Sequence, residues 1–168
     1  GSTQICMVPK TIIVHEDIYD KFVDLLLNKV SKLKYGLPSN PETCLTPVVK
    51  MRECIDALND ALSKGAKLLC GGKKVNHAGE EKESGVFFQP TLLLVESDNQ
   101  KMLDMKCVKD ENFFPVIPII KVKSYKLEQK DKDQDIFSKM MEIAESNEYG
   151  LRASAWVKSA YYTRQFMK

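Results

Sequence analysis

The chain has 168 residues, of which 43% are hydrophobic and 29% charged, enough for the core of one soluble domain. A formal net charge of +2, with no basic stripe interleaved with aromatics, argues against a nucleic-acid or anionic-membrane partner. No apolar stretch approaches the length needed to span a membrane.

The first run is Thr3-Gln4-Ile5-Cys6-Met7-Val8-Pro9-Lys10. A cysteine ahead of a β-branched strand is either a nucleophile held on a rigid element or an inert buried thiol. Lys10–Val14 is predicted as a strand. Glu16 and Asp17 place acid at a helix start, where the macrodipole favours it. Ile18, Phe22, Leu25, Leu26, Val30 and Leu33 recur at helical spacing, which predicts an amphipathic helix over Asp17–Lys34. Gly36 and Pro38 stop it, and Ser39–Pro47 reads as a loop. A second helix is expected over Val49–Lys64, with Met51, Ile55, Leu58 and Leu62 inward.

Ala66–Cys70 reads as a short buried strand ending in Gly71-Gly72. A Gly-Gly pair after a strand can cradle a phosphate, but no helix follows, so a plain turn is the expectation. Lys73–Ser84 is polar and predicted to be an exposed excursion. Val86–Val95, broken by Gln89-Pro90-Thr91, reads as an extended edge segment. Val116–Val122 is the most apolar strand candidate. Lys123–Asp135 is expected as a charged surface loop and Ile136–Ser146 as a helix with Ile136, Met140, Ile143 and Ala144 inward. Tyr149-Gly150 closes that helix. Leu151–Val157 is predicted as a strand, and Ala160–Lys168 as the start of a helix. Strand–helix alternation with short turns predicts an α/β layer fold with a mainly parallel sheet flanked by helices.

The five cysteines, Cys6, Cys44, Cys54, Cys70 and Cys107, are odd in number and widely spaced, with no C-x-x-C pair. They read as reduced thiols of a cytoplasmic protein. His15 and His77 are the only histidines, so no histidine-rich metal site is expected. A Cys–His pair of the protease kind stays open, with His15 at a strand exit and His77 in a polar loop.

Four runs belong together: Gln4-Ile5-Cys6, Phe87-Phe88-Gln89-Pro90-Thr91, Glu111-Asn112-Phe113-Phe114-Pro115-Val116, and Asn147-Glu148-Tyr149-Gly150-Leu151. In this order they resemble the aldehyde dehydrogenase superfamily, and the likeness covers nearly the whole chain. Val14 to Phe22, following the cysteine run, is also typical of it. The first run is similar to that family's Gly-Gln-x-Cys nucleophile motif, and the third to its Glu-x-Phe-Gly-Pro motif. The resemblance implies a catalytic domain of the aldehyde dehydrogenase type spanning residues 1–168, with Cys6 as nucleophile. It further implies NAD or NADP as cofactor, with Glu111 holding the nicotinamide ribose hydroxyls and Phe113 packing near the ring. The substrate would be a small-molecule aldehyde and no metal is implied.

Each residue also has a plainer reading. Glu111 in a Lys-Asp-Glu run can be a solvated acid, Phe113 beside Phe114 can be core, and Asn147 is a turn residue. Thr3 stands where the family has glycine before the glutamine, and Phe114 where it has glycine before the proline. Gly1-Ser2 reads as a cloning scar. Nothing in the chain supplies the family's dinucleotide-binding domain, general-base glutamate or C-terminal pairing segment. The chain is therefore expected to be an excised catalytic domain, inactive alone and homo-oligomeric only as the longer protein. A coenzyme-A-acylating branch and a degenerate structural module are the alternatives.

Overall fold

The computed structural model of the protein describes residues 1–126 and 128–167. Chain order gives β1 (Ile12–His15), α1 (Glu16–Val30), α2 (Met51–Ser63), β2 (Lys67–Cys70), β3 (Lys74–Val75), β4 (Phe87–Phe88) and β5 (Thr91–Glu96). It continues with α3 (Gln100–Leu103), α4 (Lys106–Lys109), β6 (Val116–Val122), α5 (Gln129–Glu145) and α6 (Ala160–Phe166). Four strands form one sheet in the order β1-β6-β5-β2. β6 runs parallel to both β1 and β5, and only β2 is antiparallel. The mainly parallel α/β fold expected from the sequence is the fold observed.

Alternation along the strands builds two cores. Val116, Ile120 and Val122 of β6, with Leu93 and Val95 of β5, face a cluster that includes Leu58 and Ala61 of α2, Cys107 of α4 and Ile136 of α5. Ile119 of β6 and Leu92 of β5 face the opposite way, onto Tyr19 and Val23 of α1. The sheet is therefore sandwiched, which is why β5 and β6 are apolar on both faces. Pro118 is tolerated in β6 because the β1 pairing begins only at Ile119, leaving one side of the strand unpartnered at the proline.

Several expectations are corrected. The 66–70 and 86–95 segments exchange roles: β2 is the edge strand, with Leu68 40% exposed, and β5 lies inside the sheet. Pro90 precedes the first paired residue, Thr91, so it removes no ladder donor and β5 can be central. The polar excursion holds β3, paired antiparallel with β4. α1 turns Tyr19 and Val23 inward and leaves Ile18 and Leu25 exposed. α2 leaves Leu62 exposed and buries Cys54, Ala57 and Ala61 instead. α5 begins at Gln129, inside the predicted surface loop, and Ala144 is exposed. Leu127 of that loop and Lys168 of the last predicted helix lie outside the described residues. Leu151–Val157 is not a strand: it pairs with nothing among the described residues, and Trp156 stands exposed. α3 and α4, four residues each, are too short for apolar periodicity to reveal.

A candidate active site at the Cys6 turn

Residues 1–8 fold into two successive tight turns, closed by Gln4 N–H to the Gly1 carbonyl (3.2 Å) and Val8 N–H to the Ile5 carbonyl (3.4 Å). Cys6 sits at the tip of the second turn, exposed, and neither its backbone N–H nor its thiol has a hydrogen-bond partner among the described residues. The turn is not loose. Gln4 closes its side-chain amide on the backbone ahead of α2, donating Nε2–H to the Pro47 carbonyl (2.9 Å) and accepting Val49 N–H at Oε1 (3.0 Å). Ser2 does the same one step back, donating to the Thr46 carbonyl (2.9 Å) and accepting Thr46 N–H (3.0 Å).

Ser2 and Thr3 have φ of 55° and 59°, in the left-handed region. A branched residue there is disfavoured, and glycine is not. Thr3 is the position where the family motif has glycine, so the backbone keeps a shape that glycine adopts freely.

The run from Glu111 to Phe114 alternates in depth. Asn112 and Phe114 are buried, while Glu111 and Phe113 are half-buried on the outer side. Asn112 anchors the run by donating Nδ2–H to the Cys107 carbonyl (2.9 Å) within α4. Phe114 sinks into the large core cluster and takes no left-handed torsion, so a bulky side chain is accommodated where the family has glycine. The Phe-Phe-Gln-Pro-Thr run supports the same loop from below. Phe87 and Phe88 are buried, and Thr91 N–H donates to the Pro115 carbonyl (2.8 Å). Asn147 is the expected turn residue: Nδ2 donates to the Val108 and Lys109 carbonyls, and Oδ1 accepts Tyr149 N–H.

The two runs meet through Lys10. Its ammonium lies 4.4 Å from the centre of the Phe113 ring and donates to the Thr3 carbonyl (2.8 Å). Burial holds the Lys10 pKa below its ordinary value, while the nearby charges of Glu111 and the Cys6 thiolate push it back up. Cys6, Glu111 and Phe113 thus share one neighbour. Sequence reasoning missed Lys10 and Gln4 as the residues that connect them; both lay inside the cysteine run, but the contacts they make are with residues roughly forty or a hundred positions away.

The other thiols differ in kind. Burial pushes Cys54 and Cys107 up to about 12 and also raises Cys70. Only Cys44 shares the exposure of Cys6. Neither histidine hydrogen-bonds Cys6 among the described residues, and each has another role. His15 caps α1 by accepting Asp17 N–H at Nδ1 (3.1 Å), and His77 sits in the turn closed by Gly79 N–H to the Asn76 carbonyl (3.0 Å). His15, Asp17 and Asp133 bring three potential ligand atoms within 4.8 Å, but Lys132 already places its ammonium against Asp17 and Glu16. Gly71 and Gly72 link β2 to β3 with left-handed torsions, φ 82° and 91°, and a strand rather than a helix follows; a Cβ on Gly71 would lie 2.3 Å from the Pro90 carbonyl oxygen.

Comparison with known proteins gives the family and the fold. The aldehyde dehydrogenase family profile matches residues 1–168. A 3,6-anhydro-alpha-L-galactose dehydrogenase of a Vibrio species is 31% identical over 165 residues, covering 96% of this chain and 30% of that protein. Succinate-semialdehyde dehydrogenase [NADP(+)] 1 of Mycobacterium tuberculosis is 29% identical over 167 residues, covering 98% of this chain and 32% of that protein. The crystal structure of succinate-semialdehyde dehydrogenase from Burkholderia pseudomallei superposes on 98% of this chain and 30% of its own, at TM-score 0.77 and 28% identity. A mainly parallel α/β sheet flanked by helices is thus what these proteins and this chain have in common. The chain belongs to the aldehyde dehydrogenase family, and it spans about a third of the length of the curated relatives it matches.

Proposed function

We propose that this chain is the nucleophile-bearing part of an enzyme that oxidises an aldehyde to a carboxylic acid with NAD or NADP. The observation that carries it is the exposed, unpartnered Cys6 on a turn clamped by Gln4, beside outward-facing Glu111 and Phe113. A thiolate suits this chemistry because it is strongly nucleophilic near neutral pH and leaves well from an acyl group. Its sulfur adds to the aldehyde carbonyl carbon, giving a thiohemiacetal. The free Cys6 backbone N–H is available to donate to the oxygen as it gains charge. The nicotinamide cofactor, when bound, supplies the hydride acceptor. Water then cleaves the resulting thioester and releases the acid.

The residues fit that cofactor. The half-buried Glu111 carboxylate can accept from ribose hydroxyls, and the half-buried Phe113 face can cover an aromatic ring. The relative from M. tuberculosis is named for NADP(+), one of the two nicotinamide cofactors proposed. Five free cysteines fit a reducing, cytoplasmic setting, and among the described residues no helix is long and apolar enough to cross a membrane. A separate dinucleotide-binding domain and assembly of like subunits complete the reading, with the 168-residue chain inactive by itself.

The test follows NADH and NADPH formation against an aldehyde panel, with and without coenzyme A. It compares the isolated chain, the same chain joined to a dinucleotide-binding domain, and that longer protein carrying Cys6→Ser. Turnover by the longer protein alone, abolished by Cys6→Ser, supports the proposal. Turnover by the isolated chain would overturn the inactivity, and no turnover by any of them would favour a structural module. Turnover only with coenzyme A would assign the acylating branch.

A further inference from the structure

The Cys6 turn and the Glu111–Phe114 run are anchored separately. Ser2 and Gln4 fasten the turn to residues 46–49, and Asn112 fastens the run to α4. Among the described residues no hydrogen bond passes directly between residues 1–9 and residues 111–114. One side chain bridges them instead. Lys10 donates from Nζ to the Thr3 carbonyl (2.8 Å), and the same ammonium lies 4.4 Å from the centre of the Phe113 ring.

The bridge is fixed at its root as well as its head. Lys10 stands two residues before β1, whose pairing with β6 begins at Ile12 and Ile119. The residue is half-buried, so its ammonium meets both partners with less competition from water. A charged donor makes a shorter and stronger hydrogen bond than a neutral one. A cation over an aromatic face is attracted by the ring quadrupole, the more so as water is excluded. Lys50 Nζ lies 5.6 Å from the same ring but makes no hydrogen bond to the turn among the described residues, so it lacks the second attachment.

Oxidation at Cys6 needs the sulfur and the hydride acceptor held in one geometry, and a misplacement of about 1 Å can cost on the order of a hundredfold in rate. We propose that Lys10 is a positioning residue for this reaction: its ammonium ties the nucleophile turn, at the Thr3 carbonyl, to the Phe113 ring, and so holds Cys6 in register with the cofactor. The catalytic part of this assignment rests on the reading of Cys6 as nucleophile and of Phe113 as the neighbour of the nicotinamide.

The tie itself is tested in the 168-residue chain by NMR, without cofactor or turnover. The ring current of Phe113 should displace the Lys10 ε-methylene protons, and Phe113→Leu should abolish the displacement. Hydrogen exchange of the Gln4 amide, which closes the first tight turn on the Gly1 carbonyl, reports how firmly the turn is held. Loss of a cation–π contact should speed that exchange about two- to fivefold in Lys10→Met. Phe113→Leu, which alters no charge, should do the same from more than a hundred residues away. The double variant should exchange no faster than either single one, because both remove one tie. Lys10→Arg, which keeps the charge and can both donate and stack, should restore the parent rate. Lys50→Met should leave it unchanged. Additive effects in the double variant, or an equal effect from Lys50→Met, would overturn the tie.

The catalytic role is tested in the chain joined to a dinucleotide-binding domain. Lys10→Met should lower kcat about tenfold while the aldehyde KM stays within about twofold, and Lys10→Arg should recover most of the loss. A raised KM with unchanged kcat would assign Lys10 to substrate binding and overturn the positioning role. If no form of the longer protein turns over an aldehyde, the aldehyde reading falls and the catalytic role with it, while the exchange rates still decide the tie.

Discussion

Gln4→Ala should loosen the candidate site and cost measurable stability. The side chain makes two hydrogen bonds to backbone groups more than forty residues away, at 2.9 and 3.0 Å. A net contribution of about 0.5–1.5 kcal/mol per bond gives a loss of about 1–3 kcal/mol. For a domain of this size that lowers the melting temperature by roughly 2–12 °C. Ser2 still ties Thr46 through two bonds, so the segment should stay attached and the protein should fold. Urea unfolding gives the free energy, and the alkylation rate of Cys6 relative to Cys44 reports whether the turn has moved. Gln4→Glu separates the two bonds. It keeps the acceptor for Val49 N–H but turns a carboxylate onto the Pro47 carbonyl. Its neutral acid can donate there, so the new carboxyl should titrate above the ordinary glutamate value. Stability of that variant relative to the parent should therefore rise as pH falls through the raised value. A loss below about 0.5 kcal/mol in Gln4→Ala, with unchanged Cys6 reactivity, would refute the clamp.

Three further outcomes follow from the same structure. Thr3→Gly should stabilise the protein by up to about 1 kcal/mol in urea unfolding, because relief of a left-handed branched residue outweighs the entropy that glycine adds; destabilisation beyond that would refute the strain. The Tyr19 hydroxyl is buried with no partner among the described residues, so Tyr19→Phe should raise the unfolding free energy by about 1 kcal/mol, and a clear loss would mean the hydroxyl is satisfied. Cys54 and Cys107, pushed up to about 12, keep their protons in the fold at pH values where the unfolded thiols have lost theirs. Their contribution is whole below the unfolded value near 9 and drains away as pH rises toward 12, by about 1.4 kcal/mol per pH unit per thiol. Unfolding curves between pH 8 and 11 should steepen in that sense, and Cys54→Ala should lessen the slope.

Legibility followed the range of the interactions. The parallel sheet could be read because alternation of helix and strand is written locally, and β6 announces itself through seven nearly apolar residues. Which strand is central could not be read so directly. Pro90 marks an edge by local rules, and only the register of Thr91 against Val116 reveals that the ladder begins one residue after the proline. α1 was placed with Phe22, Leu26 and Val30 rightly on its packed face, but Ile18 and Leu25, as apolar as the residues that are buried, face out. The inward stripe follows Tyr19 and Val23, a choice made by contact with Leu92 and Ile119 in distant strands.

The site divides in the same way. Cys6, Glu111 and Phe113 could be named from motifs, since a motif records which residue types recur at a spacing. What holds them could not. Gln4 reaches Pro47 and Val49 more than forty residues on, and Lys10 reaches Phe113 across about a hundred residues. None of these contacts leaves a periodic trace. Phe114 illustrates the reverse error. Against the family motif it looks like an obstruction, because glycine permits torsions that phenylalanine does not. Depth alternation along Glu111-Asn112-Phe113-Phe114 removes the conflict: the residue that departs from the motif faces the core, and the two that would meet a ligand face out. A substitution on the buried side of such a loop changes packing beneath the site while leaving its outward chemistry available.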